Sequence, residues 1–315
     1  IGYDNGMNAT GTQNTSVGYQ CYTNATGTSN TVIGHWAGRY LSGGDNVALG
    51  FQTMGSVYGN AGASCVAMGF NACGGLSSNL TGTGGFGHVC LGGNTGAALE
   101  PGSITCVAIG YGALQAATLG NWNIAIGGDA LNDLAAVGEG NIAIGNRAAD
   151  LMTTGSDNIF IGKQSGGAAV LSATRMIAIG ADSAIANALS DSVAIGDGAI
   201  IIASEAVAIG NTARAQTRAV SVGYAAESYG VDNVAIGHGA IAPLNRAVVI
   251  GSSALANLAS DGVIAIGYNA GLVPGIVGTN TVGIGTNVSA TGGGVAIGGN
   301  AIAGGSSVAI GDTAT

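Results

Sequence analysis

Hydrophobic residues in this chain come in short bursts that end on glycine. Val193-Ala194-Ile195-Gly196 recurs as Val207-Ala208-Ile209-Gly210, Val234-Ala235-Ile236-Gly237, Val295-Ala296-Ile297-Gly298 and Val308-Ala309-Ile310-Gly311. Aligning every aliphatic-glycine step that closes such a run puts glycines at 2, 18, 34, 50, 69, 92, 110, 127, 145, 162, 180, 196, 210, 223, 237, 251, 267, 285, 298 and 311. Spacing runs from 13 to 23 residues and settles at 13 or 14 through much of the second half. The residue before the glycine is aliphatic or Met, and the residue three before it is β-branched in every complete copy, from Thr15 to Val308. Between them sits a small residue, usually alanine. Alternation with period two predicts a short strand, with the β-branched and aliphatic residues on one face and the alanine on the other.

Two further columns complete the unit. A small residue recurs three positions after the glycine, as at Ala37, Ala72, Ala113, Ala199 and Ala213. An asparagine column, Asn14, Asn30, Asn46, Asn123, Asn141, Asn158 and Asn233, precedes the strands. Asn and Gly suit a tight corner, and stacked Asn side chains hydrogen-bond along their column. One strand, one corner and one return segment make a coil that cannot bury its own apolar residues, whereas a stack of coils can. The prediction is an all-β parallel β-solenoid of about twenty coils at ~4.8 Å spacing, a rod on the order of 90–100 Å. Coils are longer over 1–175, where insertions loop outward, and regular over 176–315, within one continuous repeat domain. Val and Ile are expected to fill the coil. The alanines Ala48, Ala67, Ala108, Ala125, Ala143, Ala194, Ala208 and Ala235 are then left as an outer apolar stripe, which predicts packing against two further copies of the chain.

Composition narrows the class. The chain has 315 residues with 60 glycines, three prolines and 7% charged residues. Glycine at every third position, as collagen needs, is absent, and Ile, Val and Leu are too many for a disordered chain. Seven basic residues scattered through a net charge of −9 exclude nucleic acid as a partner, and no apolar run reaches the length of a membrane span. The opening Ile1-Gly2 reads as the end of a motif, so the chain is expected to be an internal piece of a longer protein, cut at both ends. Five cysteines, Cys21, Cys65, Cys73, Cys90 and Cys106, form no CxxC pair and read as small buried thiols.

The iterated Asp191–Ala199 (DSVAIGDGA), Asp232–Ala240 (DNVAIGHGA) and Ser306–Ala314 (SSVAIGDTA) resemble the head repeats of YadA-like trimeric autotransporter adhesins. The resemblance covers the whole chain and is strongest from about 177 to 315. It implies a left-handed parallel β-roll, three chains wound into a rod, and a non-enzymatic adhesive role on a bacterial outer surface. Coiled-coil stalk heptads and an anchor barrel are not found, and five cysteines are unusual for an exported chain. Both points favour the second resemblance, to head-like segments of phage tail fibres and other virion fibres.

Catalytic chemistry is sparse. His35, His88 and His238 lie in distant coils without carboxylate or thiol at consistent offsets, so no catalytic residue, metal site or cofactor is predicted. A hexapeptide acyltransferase solenoid is a remote alternative: its six-residue aliphatic step fails from Ile126, which reaches Asn132 and Gly138. Asp45, Asp157, Asp191, Asp232 and Asp261 read as turn residues rather than calcium ligands. The position after the glycine is aromatic or His at Tyr3, Tyr19, His35, Phe51, Phe70 and Tyr111, and again at Tyr224, His238 and Tyr268. Stacked, these make a ridge of rings that either shields the corner or contacts a host-surface protein or glycan. The glycine-rich excursion over 70–91 is the best candidate for an exposed contact loop.

Overall fold

A computed structural model describes residues 1–55, 63–74, 87–98, 105–116, 120–133, 138–167, 172–185, 189–255, 261–271 and 279–315. The chain divides into two compact units, Ile1–Arg175 and Met176–Thr315. Each is a parallel β-solenoid, and no helix occurs among the described residues. Every predicted repeat glycine from Gly18 to Gly311 directly follows the last residue of a strand.

In the first unit, three-residue strands run from Thr15–Val17 to Ile159–Ile161. Each pairs in parallel with the strand of the next coil, Thr15 beside Thr31 and Thr31 beside Val47, so like residues form ladders. In the second unit, strands from Ser190–Ile195 to Val308–Ile310 stack in the same way. A second column of two-residue strands, Ile200–Ile201, Arg214–Ala215, Glu227–Ser228 and Ile241–Ala242, pairs in parallel on the return segment. That makes each regular coil a flattened two-sided roll.

The corner has a definite turn chemistry. The amide of Ala213 donates to the carbonyl of Gly210 at 3.2 Å, and Thr212 between them has φ 55°. A four-residue turn with positive φ at its third position is type II, which favours Asn or Gly there. The same position carries Asn71, Asn94, Asn269, Asn287 and Asn300 in other coils, all at positive φ. Gly210 itself has φ 136°, and an added Cβ would lie under 3.0 Å from the carbonyl oxygen of Gly223 in the next coil. The repeat glycine is therefore required twice over, by its backbone angle and by the closeness of the stack.

The faces of the strand are the reverse of the sequence expectation. Ala48, Ala67, Ala108, Ala125, Ala143, Ala194, Ala208 and Ala235 are all fully buried inside their own coils. Val and Ile on either side point outward and are only half-buried, as in Val193 and Ile195. The alanine stripe is thus not an outer packing surface. The cause is the width of the coil: the alanine column faces a second small-residue column, Ala215, Ala242, Ala290 and Ala303, also buried. Branched side chains on both walls would force the sheets apart.

Exceptions obey the same rule. Phe160 occupies the inner column, and a Cβ at Gly166 would sit 3.0 Å from its ring. Val32 does so too, with Gly38 as the missing side chain opposite. Ser221 replaces alanine where Ser228 replaces its opposite partner, and the two hydroxyls bond across the interior at 2.9 Å. Ser221→Ala alone should lower stability by about 1 kcal/mol because it leaves Ser228 short of its partner. The Ser221→Ala/Ser228→Ala double variant restores the Ala–Ala pair of neighbouring coils and should return close to wild type. A double-mutant cycle by urea denaturation reads the coupling directly.

The asparagine column also lies inside rather than at a corner. Asn30 and Asn46 are buried; Asn46 donates both its backbone amide (2.9 Å) and its side-chain amide (3.0 Å) to the Asn30 carbonyl oxygen. Asn123, Asn141 and Asn158 continue the pattern, with Asn123 Oδ1 accepting the Asn141 amide and Asn141 Oδ1 the Asn158 amide. The positive φ that a corner needs falls one residue earlier, at Ser29, Asp45, Asp157 and Asp232. His88 stands in this column, buried, with Nδ1 accepting the amide of Cys106 at 3.2 Å as an asparagine oxygen would.

Candidate functional site

The residue after each repeat glycine is the second residue of the type II turn, so its side chain projects from the corner. Tyr3, Tyr19, His35, Phe51 and Phe70 come from consecutive coils and form one continuous ridge. Tyr3 and Tyr19 stack at 5.4 Å between ring centres and Phe51 and Phe70 at 5.5 Å, with His35 turned edge-on between Tyr19 (4.9 Å) and Phe51 (5.1 Å). Tyr111 is exposed and does not join it, because Gly93 holds the corner position between Phe70 and Tyr111. In the second unit Tyr224 and His238 stack at 5.0 Å.

This geometry decides what the ridge offers. Tyr3 with Tyr19, and Phe51 with Phe70, cover each other's faces, and the edge of His35 fills the space between the two pairs. A sugar that stacks on a ring face finds little purchase there. Trp36, which the corner rule does not pick out, widens the ridge: its ring lies 4.7 Å from His35 and 5.7 Å from Phe51, and its Nε1 donates to Gln20 at 2.8 Å. The guanidinium of Arg39 lies 5.7 Å from the Trp36 ring and 5.3 Å from the Tyr40 ring. The sequence did carry a signal for it, since no other Lys or Arg occurs before Arg147.

The excursion proposed as a contact loop spans 70–91, and its residues 75–86 lie outside the described residues. Its two ends are joined by a disulfide between Cys73 and Cys90, whose Cα atoms are 6.1 Å apart. The expectation of five buried thiols is thereby corrected. Cys90 takes an inner-column position and Cys73 a buried turn position, close enough to bond across the thin interior. Cys21, Cys65 and Cys106 are buried and form no disulfide. Burial pushes each of their thiols above the ordinary cysteine range, which keeps them protonated and unreactive.

Charge is concentrated in a surface ladder of the second unit. Arg218 pairs with Asp232 through Nε–Oδ1 at 2.6 Å and Nη2–Oδ2 at 3.2 Å, and Arg246 pairs with Asp261 at 3.2 Å. The hydrogen bond from Arg218 holds the Asp232 carboxyl below the usual carboxylate range. A depressed carboxylate stabilises the fold above its unfolded pKa of about 4, and that stability is lost as pH falls through the lower folded value. The melting temperature should therefore fall on acidification below about pH 4, less steeply in Asp232→Asn. Raising salt should shrink the difference between the two, since both partners are exposed.

Among the described residues no group of three or more His, Cys, Asp or Glu is placed to hold a metal ion. No helix there is long and apolar enough to cross a membrane. No family model matches the chain, and no curated protein matches it.

Proposed function

We propose that this chain is a segment of a non-enzymatic, trimeric fibrous adhesin of a bacterial outer surface, which attaches to a host-surface protein or glycan through many repeated weak contacts. The observation that carries the reading is the outward Val/Ile face. Ile33 and Met68 in the first unit are each 42% exposed, and Ile236 in the second is 37% exposed, on a face that repeats in every coil. A repeated apolar face of this kind marks an interface. Its ladders repeat at strand spacing, about 4.8 Å, and the partner whose ladders match that spacing over many coils is another copy of the same solenoid. Three copies follow the resemblance to trimeric adhesin heads. The aromatic ridge and the disulfide-tied excursion are the elements that differ between coils, so receptor contact is assigned to them. Many equivalent contacts then raise avidity above the affinity of any one.

Sedimentation equilibrium of the whole chain tests the assembly. A trimer is expected, and Ile209→Asp/Ile236→Asp should give a monomer that keeps its β-sheet circular dichroism. A monomeric wild type would sink this reading. Attachment is tested by binding the trimer to host cells and to glycan and matrix-protein arrays.

A second reading, a shaft or receptor-binding segment of a phage tail fibre or other virion fibre, is favoured by the three buried thiols outside any disulfide, which suit assembly in a reducing cytoplasm. The Cys73–Cys90 disulfide weighs towards export. The full reading frame separates the two: a secretion signal and membrane anchor against neighbouring virion genes.

A further inference from the structure

The residues just before the inner asparagine column form an outer column of their own. In the first unit the Gly140 amide donates to the Asn121 carbonyl at 3.0 Å, Asp157 to Glu139 at 2.9 Å and Arg175 to Ser156 at 3.1 Å. Trp122, Gly140, Asp157 and Arg175 therefore lie over one another in successive coils, all at positive φ. In the second unit Arg218 donates to Ser204 at 3.2 Å, Asp232 to Thr217 at 3.2 Å and Arg246 to Val231 at 2.8 Å, which puts Arg218, Asp232 and Arg246 in the same column. Asp157 followed by Arg175 repeats Asp232 followed by Arg246. One coil before the aspartate, the second unit has Arg218 where the first has Gly140.

Asp232 shows what an aspartate in this column takes: Arg218 meets it with a forked pair of bonds at 2.6 and 3.2 Å. Asp157 is exposed, and its carboxylate has no hydrogen bond or ion pair among the described residues. A Cβ on Gly140 would lie 2.9 Å from Asp157 Oδ1, so the carboxylate reaches into the space of the missing side chain. Trp122 bounds that space from the coil before. It is 57% exposed and has no ring, cation or hydrogen-bond partner among the described residues, unlike Trp36. With coils about 4.8 Å apart, a planar cation level with Gly140 comes within the roughly 6 Å of a cation–π contact and within reach of the carboxylate. Guanidinium is the group that both stacks on an indole and forks to a carboxylate. Glu139, whose Oε1 accepts from Asn121 at 2.6 Å, adds a second negative charge beside Gly140.

We propose that Trp122, Gly140 and Asp157 form a docking site for an arginine side chain of a host-surface protein. The guanidinium lies over Gly140, stacks on Trp122 and pairs with Asp157 as Arg218 pairs with Asp232. Asp157 then stands between that arginine and Arg175, as Asp232 stands between Arg218 and Arg246. The net charge of −9 suits approach of a basic partner. The site rests on the adhesive reading above and names within it a protein partner rather than a glycan.

Trp36 and Trp122 are the chain's two tryptophans, so fluorine NMR of the full chain carrying fluorotryptophan reads the site directly, with Trp122→Phe assigning its resonance. The probe is the capped tripeptide glycyl-arginyl-glycine. It should shift the Trp122 resonance saturably and leave Trp36 unmoved. The citrulline peptide, which has the shape without the charge, should bind at least about tenfold more weakly, and Asp157→Asn should weaken the arginine peptide about tenfold. The lysine peptide, which cannot fork, should bind about threefold more weakly. Gly140→Arg should fold, since Arg175, Arg218 and Arg246 hold the same column position at positive φ, and should abolish peptide binding by filling the site from within. Equal binding of the lysine or citrulline peptide, or undiminished binding in Asp157→Asn or Gly140→Arg, would overturn the site. So would methyl galactoside shifting the Trp122 resonance at lower concentration than the arginine peptide, which would make the indole a sugar platform. Peptide binding by a chain that attaches to no host cell would leave the site standing and overturn the adhesive reading. Cell attachment undiminished in Gly140→Arg, with no peptide bound by wild type, would do the reverse.

Discussion

Gly210→Ala should be among the most damaging single substitutions in the chain, lowering stability by about 3–5 kcal/mol. Two effects add. An alanine at φ 136° sits where only glycine is comfortable, at about 1–3 kcal/mol. Its Cβ would also press on the Gly223 carbonyl, forcing neighbouring coils apart at the point where the Gly223 amide bonds the Ile209 carbonyl at 2.8 Å. Two other glycines separate these effects. Gly239 has φ 62° but open space around its Cβ position, so Gly239→Ala carries only the backbone penalty, about 1 kcal/mol. Gly304 has neither restriction, and Gly304→Ala should be neutral or slightly stabilising. Thermal melts of the three variants should therefore rank 210 far below 239, and 239 below 304. If Gly210→Ala melts with Gly304→Ala, the stack is looser than the structure requires.

Much of this architecture is readable from residues alone, and the part that is not has a clear cause. Period two tells that Val207 and Ile209 share a face and that Ala208 takes the other. It does not tell which face is inside, because that depends on the distance to the opposite wall. The cue lay in a second column: Ala199 and Ala213 after the corner, and Ala215 and Ala242 on the return segment, mean small residues on both sides of one space. The asparagine column was legible as a ladder, but its inward direction was not, since the positive φ falls on the varied residue before it. His88 and Cys65 share that column with asparagine, and their types alone suggest no such place. The ridge from Tyr3 to Phe70 followed from spacing, whereas Trp36 and Arg39 lie off the repeat and are joined to it only by side-chain packing. The Cys73–Cys90 bond joins different columns of successive coils, 17 residues apart, which no spacing motif reports.

The inward alanine makes its own strong prediction. Ala208→Leu should lower stability by about 3 kcal/mol, the upper end for overpacking a filled core. Ala208 is fully buried, stacked between Ala194 and Ser221 in adjacent coils, with the equally buried Ala215 on the return segment. No movement of one side chain makes room, because the ladder repeats the same contact above and below. Had alanine faced a neighbouring chain, the same substitution would weaken assembly instead. Melting at several protein concentrations tells these apart, since an interface lesion grows worse on dilution and a core lesion shifts the melt equally at each concentration. Phe160 opposite Gly166 and Val32 opposite Gly38 show how the fold accommodates a large inner residue, by deleting the side chain across from it. Adding Ala215→Gly to Ala208→Leu should accordingly recover about 1 kcal/mol, although Ala215→Gly alone is destabilising. A double variant no better than the sum of its parts would mean that the two walls do not meet at this point.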